Sequence, residues 1–215
     1  MPRLTRAERQ AQTRSELVES AKRRFLSAGY AATSVDDIAE DAGYSKGAVY
    51  SNFQDKRNLC RAVLDAIHHE KLGEIAAIAT SDVEVEQRID ALGQWLQDTA
   101  GDVGWTMLEL EFVVLSRTDP ELAAMIVALR DDSQEMVTAV LRSFLSGFGI
   151  DDSDPADLPI PLTDISNLLL STGIGLGIQR AVDPSVSAQP ASDALRGAFS
   201  ILAGLAPGIE PTQRG

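Results

Sequence analysis

The stretch AGYSKGAVYSNFQDK, Ala42 to Lys56, decides how this chain is read. Two glycines, two serines and two tyrosines stand between few large apolar side chains, and lysines occupy positions 46 and 56. Such a surface serves a globular core poorly, yet it lies in a chain of formal net charge -13. The residues before it supply the context. Ser34 precedes an apolar-periodic run, Val35 to Asp41, and Asp37 follows three residues on, the pattern of a capped helix start. Gly43 then breaks the chain, and a second short helix starts after Ser45 and ends near Asn52. A short helix, a glycine-containing turn and another short helix make a helix-turn-helix, whose second helix enters the major groove of DNA.

Residue types within the second helix fit that geometry. Val49 and Phe53, one turn apart, point inward toward Ile38, Ala39 and the Leu17/Phe25 face of an earlier helix. The other face shows Lys46, Gly47, Tyr50 and Ser51. Gly47 lets backbone approach a duplex closely, and Ala48 offers a methyl suited to a thymine methyl. Ser45 caps the helix, where free N–H groups favour a phosphate. Tyr50 carries a hydroxyl that reaches a phosphate, and Lys56 opens the next helix with a mobile charge. Each has a plainer reading beside it: Ser34 is a cap first, Tyr50 can cover the core, and Lys46 and Lys56 can be solvated lysines.

Charge is unevenly spread. From Met1 to Cys60 there are ten Lys and Arg against eight Asp and Glu, a balance of +2; from Arg61 onward it is nine against twenty-four, or -15. A weakly basic N-terminal module joined to an acidic body suggests a nucleic-acid surface at one end. Arg3, Arg6 and Arg9 make either a minor-groove arm or random tail charge.

Apolar spacing indicates an all-α chain of about nine helices, without the period-2 alternation of strands. Leu17, Val18, Ala21, Phe25 and Ala28 give the first helix, ended near Gly29. After Pro2 no proline occurs until Pro120, which permits helix throughout. A long fourth helix carries Leu59, Cys60, Val63, Leu64, Ile67 and Ile75 to about Ala79. Ser81 with Glu84 reads as a capping box for a fifth, and Trp105 to Leu115 is densely apolar. Pro120 restarts a helix through Phe144. Gly147 to Pro161 reads as a loop, and two apolar helices follow, Thr163 to Val182 and Ala191 to Ala206. The resulting domains are a helix-turn-helix unit at 1–55, with 1–12 a flexible arm, a helical body at 56–206 and a flexible tail at 207–215.

Other functions find little support. The run Leu168 to Ile178 is too short and interrupted to span a bilayer, and no secretory signal opens the chain, so a cytoplasmic protein without membrane contact is expected. A lone Cys60 excludes an intrachain disulfide framework. With two His and one Cys, no nucleophile–base grouping or metal-ligand spacing stands out, so neither an enzyme, a metal site nor a cofactor is expected. Adjacent on one helix, His68 and His69 point apart.

The run TRSELVESAKRRFLSAGYAATSVDDIAEDAGYSKGAVYSNFQDKRNLCRAVL resembles the DNA-binding domain of TetR-type transcriptional regulators over Thr13 to Leu64. Ala21, Phe25 and Gly29 meet the first-helix pattern, and Thr33, Ser34 and Val35 the entry to the second helix. Ile38, Ala39, Ala42 and Gly43 meet the core pattern, and Ser45, Gly47, Tyr50, Phe53 and Lys56 the recognition helix. Two departures are Arg57, where an acidic residue is frequent, and Ala48, where Thr is common. The resemblance implies phosphate contacts from Ser34, Ser45, Tyr50 and Lys56, with Lys46, Gly47 and Ala48 nearest the bases. It also implies a body that binds an unidentified small-molecule effector and forms a homodimer through its last two helices.

Within that body, lining candidates are Trp95, Trp105, Met107, Leu110, Phe112, Met125 and Phe144, residue types that are as readily core as cavity. Dimer-seam candidates are Leu169, Gly173, Leu176, Gly177, Leu195, Phe199 and Leu202. Glu109 and Glu111 could meet a cationic ligand; the preferred reading leaves one exposed and pairs the other with Arg117 or Arg130. The expected function is ligand-relieved repression at a palindromic operator, whose half-sites lie about 34–36 Å apart. The alternative is a sequestering protein of the same fold with weak or nonspecific DNA binding.

Overall fold

A computed structural model describes residues 5–150 and 160–205, with side chains through residue 199. Among these residues the chain is all helical: α1 (Arg6–Ala28), α2 (Val35–Asp41), α3 (Lys46–Phe53), α4 (Lys56–Ala79), α5 (Val85–Thr99), α6 (Val103–Ser116), α7 (Pro120–Gly147), α8 (Leu162–Val182) and α9 (Gln189–Leu205). They form two compact units. The first comprises residues 1–69 with 104–126, and the second residues 70–103 with 127–215. Both α4 and α7 therefore contribute to each unit.

The first unit is built on the inward face that the helical period dictates. Leu17, Ala21 and Phe25 of α1, Ile38 and Ala39 of α2, and Val49 and Phe53 of α3 are all buried. Each large side chain removed from water there contributes about 1.5–3 kcal/mol. Ser20 enters the same core because its hydroxyl donates to the Ile38 carbonyl at 3.0 Å, which satisfies the buried oxygen. Leu108 and Phe112 of α6 and Leu122 of α7 complete the burial. Thus α6 packs with the helix-turn-helix, a partnership that helical spacing alone does not reveal.

Two local expectations change. The segment 1–12 is not a flexible arm throughout, because Thr5 and Glu8 form a reciprocal capping box that opens α1 at Arg6; this satisfies otherwise orphaned N–H groups. Residues 1–4, and Arg3 with them, lie outside the described set. Conversely, Ser81 does not cap α5. Its hydroxyl donates back to the Ile78 carbonyl at 2.8 Å, finishing α4, and α5 starts at Val85 after Glu84, which makes no side-chain cap bond. Most of the 147–161 loop and the tail beyond 205 lie outside the described residues.

In the second unit, Phe144 packs between neighbours from α4, α5 and α9, with its ring 5.1 Å from Phe199. Helices α5 and α9 approach closely at Gly93, whose carbonyl accepts the buried Ser192 hydroxyl at 3.0 Å. Gly101 turns the chain with φ +77, and a Cβ there would lie 2.9 Å from Leu176 Cβ and 3.0 Å from the Gly177 nitrogen. Arg180 donates to Ala100 O at 2.6 Å and to Val186 O at 2.9 Å, which ties that turn to α8 and the segment after it. No helix among the described residues is long and apolar enough to cross a membrane.

Candidate nucleic-acid interface

Helices α2 and α3 are set by side-chain caps. Ser34 accepts the Asp37 N–H at 3.1 Å and donates to its carboxylate at 2.6 Å, while Asp37 also accepts the Ser34 N–H. Those bonds hold the Asp37 carboxyl below its ordinary range. Ser45 accepts the Ala48 N–H at 3.3 Å. The turn between them needs Gly43 at φ +73, a left-handed conformation that glycine adopts without steric cost. α2 is thereby presented as the support and α3 as the outward helix.

Across α3 the buried and exposed faces divide as spacing requires. Val49 is fully buried and Phe53 nearly so, whereas Ser45, Lys46, Gly47 and Tyr50 are exposed and Ala48 is half-buried. Tyr50 stands out as a large side chain 44% exposed. A Cβ added at Gly47 would meet nothing nearer than the Ser45 hydroxyl at 3.6 Å, so the helix is flat and open there. The candidates on α3 share one surface with the Ser45 cap.

The basic side chains of this unit are largely engaged within the chain. Lys46 donates to Asp36 of α2 at 2.8 Å, a hydrogen bond that raises its pKa. Lys56 donates to the Tyr30 carbonyl, with its nitrogen 4.1 Å from the centre of the Tyr30 ring, and partial burial lowers its pKa. Arg57, the departure from an acidic residue, pairs with Asp119 rather than standing as free charge. Arg24 pairs with Asp41 in a two-nitrogen fork, and Arg14 donates to Asn52 O at 2.7 Å while lying over the Phe53 ring. Beside this last contact Arg14, Asn52, Asn58, Arg61 and Asp65 line an open polar cleft of about 370 Å³.

α6 attaches to the same unit through residues that sequence spacing did not single out for this role. Tyr30 stacks edge-on against Phe112 at 4.9 Å, and burial pushes its phenol up to about 12. Glu111 accepts the Ala31 N–H at 2.9 Å. Glu109 receives the Trp105 indole N–H at 2.6 Å and meets His68. The expectation that one glutamate stays exposed while the other pairs with Arg117 or Arg130 is therefore replaced by these contacts. His69 turns away to the Asp65 carbonyl. Cys60 is fully buried, and that burial raises its pKa. Among the described residues no group of His, Cys, Asp and Glu is arranged to hold a metal ion.

The lining candidates separate between the units. Trp105, Met107, Leu110, Phe112 and Met125 belong to the first, and Trp95 and Phe144 to the second. Phe112 and Phe144 are fully buried packing residues, and Trp95 donates to Glu74 at 2.7 Å.

Among the seam candidates, Phe199 lies in the core of the second unit, with Leu169 and Leu195 packed against it. Leu176 and Gly177 pack on Gly101, whereas Gly173 is open, with nothing within 4 Å of an added Cβ. The Leu202 side chain lies outside the described residues. The apolar face that α8 leaves exposed is instead Leu168, Ile174, Ile178 and Val182, with Leu168 67% and Val182 87% exposed. Because apolar residues are spread around all sides of α8, its period does not choose a face.

Comparison with known proteins agrees with the arrangement of the first unit. Residues 17–63 match the family described as bacterial regulatory proteins, tetR family. The chain is 39% identical over 95 residues to the HTH-type transcriptional regulator TtgR of Pseudomonas putida, covering 43% of this chain and 41% of that protein. It is 31% identical over 107 residues to the HTH-type transcriptional repressor AcnR of Corynebacterium diphtheriae, covering 50% and 52%. The chain thus spans about half the length, or less, of these curated relatives. A solved structure described as a putative TetR-family transcriptional regulator from Rhodococcus sp. superposes with a TM-score of 0.68 at 17% identity. It covers 90% of this chain and 99% of that one, and at that identity the likeness shows the fold.

Proposed function

We propose that this chain, whose residues 17–63 match the TetR family of bacterial regulatory proteins, is a DNA-binding transcriptional regulator of that family, and specifically a repressor that binds a palindromic operator as a homodimer. The observation that carries this reading is the exposed surface of α3, where the Ser45 cap, Gly47, Ala48 and Tyr50 stand together over a buried Val49/Phe53 seam. Ser45 and the first N–H groups of α3 offer an anion site, since free amide donors and the helix dipole both favour negative charge. Ser34 offers a second phosphate contact at the start of α2 once its hydroxyl releases the Asp37 carboxylate it donates to in the free protein. Tyr50 supplies a hydroxyl from the exposed face, and Lys46, Gly47 and Ala48 lie nearest the base edges. Regulation rather than enzyme catalysis is the function, and it is exercised in the cytoplasm where DNA is met.

A dimer supports this reading because one short helix reads few bases, whereas two symmetric heads read two half-sites. The exposed apolar face of α8 is the surface we assign to that contact. It presents Leu168, Ile178 and Val182 at helical spacing, with the open Gly175 among them, and an apolar patch of this kind on a water-facing helix calls for a partner. Relief of repression by a small molecule requires that the ligand bind the non-DNA-binding state more tightly than the other. α4 supplies residues to both units and is the element we assign to carry that preference.

The test is enrichment from a random duplex pool with purified protein at near-physiological salt. A two-fold palindrome recovered after successive rounds supports the reading. Retention of duplex without any enriched sequence favours the sequestering alternative, in which binding is nonspecific and strongly salt-dependent.

A further inference from the structure

Four carboxylates crowd the seven-residue α2: Asp36, Asp37, Glu40 and Asp41. That is unexpected in the supporting helix of a surface that meets phosphate. Two of them have duties within the fold, since Asp37 caps Ser34 and Asp41 holds Arg24. Asp36 differs from these two, because its partner is Lys46 on the outward helix α3 at 2.8 Å, and both side chains are more than half exposed.

Lys46 is the first residue of α3, so its ammonium sits at the positive end of the helix dipole, where a cation is disfavoured and an anion welcome. The Asp36 carboxylate meets both needs. A DNA phosphate arriving at the same helix end seeks the same two things, the ammonium and the positive dipole end.

Resting on the reading of this unit as DNA-binding, we propose that Asp36 is an intramolecular competitor for phosphate: its carboxylate occupies Lys46 in the free protein and thereby lowers the affinity for DNA of any sequence. Nonspecific binding is almost wholly electrostatic, so it feels the competition most directly. An exposed ion pair is weak, and phosphate can displace the carboxylate without a change in fold. The arrangement tunes affinity downward and leaves the recognition helix unaltered.

The experiment measures binding to one random-sequence duplex across a salt series for wild type, Asp36→Asn, Lys46→Gln and the double variant. Asp36→Asn is expected to bind roughly two- to five-fold more tightly at low salt, the scale of an exposed ion pair. Its log–log salt slope should stay close to that of wild type, because phosphate displaces the carboxylate and the same number of phosphates is neutralised in both complexes. In the Lys46→Gln background the same change should lose most of its effect. Asp36→Ser repeats the measurement with a residue that also suits a helix start.

Equal binding by wild type and Asp36→Asn overturns the proposal. So does an undiminished gain in the Lys46→Gln background, since Asp36 would then repel phosphate directly. If wild type enriches a palindrome while these results fail, this inference alone falls. If no protein holds duplex even at low salt, the DNA-binding reading falls with it.

Discussion

Glu111 of α6 accepts a hydrogen bond at 2.9 Å from the backbone N–H of Ala31, eighty residues earlier in the chain. The same carboxylate fills the space beside Gly29, where an added Cβ would lie 2.6 Å from Glu111 Oε1. The α1–α2 turn is therefore fitted to an α6 side chain, and the neighbouring Tyr30–Phe112 contact reinforces the match.

Removal of this contact should be measurable. Glu111→Ala is expected to lower the stability of the first unit by about 1 kcal/mol, the net value of an ordinary hydrogen bond, and to speed hydrogen exchange at the Ala31 amide. Gly29→Ala should cost more, because φ +84 with ψ 164 is a backbone region essentially confined to glycine and strains any side chain by about 1–3 kcal/mol before the crowding is added. Denaturant unfolding of the two single variants and the double checks the coupling. A double variant less destabilised than the sum of the singles is expected, since Glu111→Ala removes the atom that the new methyl would strike.

Lys56 has two roles to separate. Its bond to the Tyr30 carbonyl and its place over the ring make Lys56→Ala destabilising, by about 1 kcal/mol. If Lys56 also reaches phosphate, the same variant binds duplex more weakly with a salt slope shallower by about one. Tyr50→Phe should weaken duplex binding at a stability changed by less than about 0.5 kcal/mol. A Lys56→Ala protein that loses stability but keeps its salt slope shows that the lysine serves the fold alone.

Gly101→Ala should destabilise the second unit severely, by about 2 kcal/mol or more. A left-handed φ of +77 coincides there with the backbone of α8 only 3.0 Å from the new methyl, and backbone yields poorly. Gly93→Ala is the control. The atoms it would meet belong to the flexible guanidinium end of Arg196, so the loss should be smaller. Thermal unfolding of both variants checks the order.

Charge placed on the exposed face of α8 should separate the subunits. Ile178→Glu and Leu168→Glu put a carboxylate where an apolar seam is assigned, and burying an unpaired charge is strongly unfavourable. Sedimentation velocity should show a monomer with unchanged helical content. Because two linked heads bind an operator far better than one, its affinity should fall with the dimer.

Acidification should loosen the first unit. The carboxyls of Asp37, Asp41 and Glu16 lie below their ordinary values of 3.8 and 4.5, through hydrogen bonds from Ser34, Arg24 and Tyr44 respectively. A depressed folded-state pKa contributes stability that is present above the unfolded value and disappears as pH falls through the folded one. Stability should thus decline from about pH 4.5 downward. The decline should be shallower in Asp41→Asn, as pH-dependent chemical unfolding would show.

Much of the first unit was legible because its signals are local. The Ser34/Asp37 cap, the Gly43 turn and the Val49/Phe53 seam each involve residues within a few positions, and the helical period fixes which side they face. Long-range attachments carry no such signature. Nothing in the order of residues joins Glu111 to Ala31 or Arg57 to Asp119, and Lys56 reads as a mobile charge until Tyr30 is beside it. In α8 the difficulty was different: apolar residues on every side leave the period silent, and one residue's rotation exchanges Leu169 for Leu168 as the outward side chain. The Ser81/Glu84 pattern had the right spacing for a cap, but the Ser81 hydroxyl was taken by the end of the preceding helix.

The proposed dimer sets a symmetric pair of heads on one duplex. It is tested most directly by sedimentation of the complex with an enriched duplex, combined with hydroxyl-radical footprinting. Two 23.0 kDa chains per duplex, protecting two patches about 34–36 Å apart on one face, are the predicted result. A single chain per duplex, or protection without a two-fold pattern, would rule out the symmetric pair of heads.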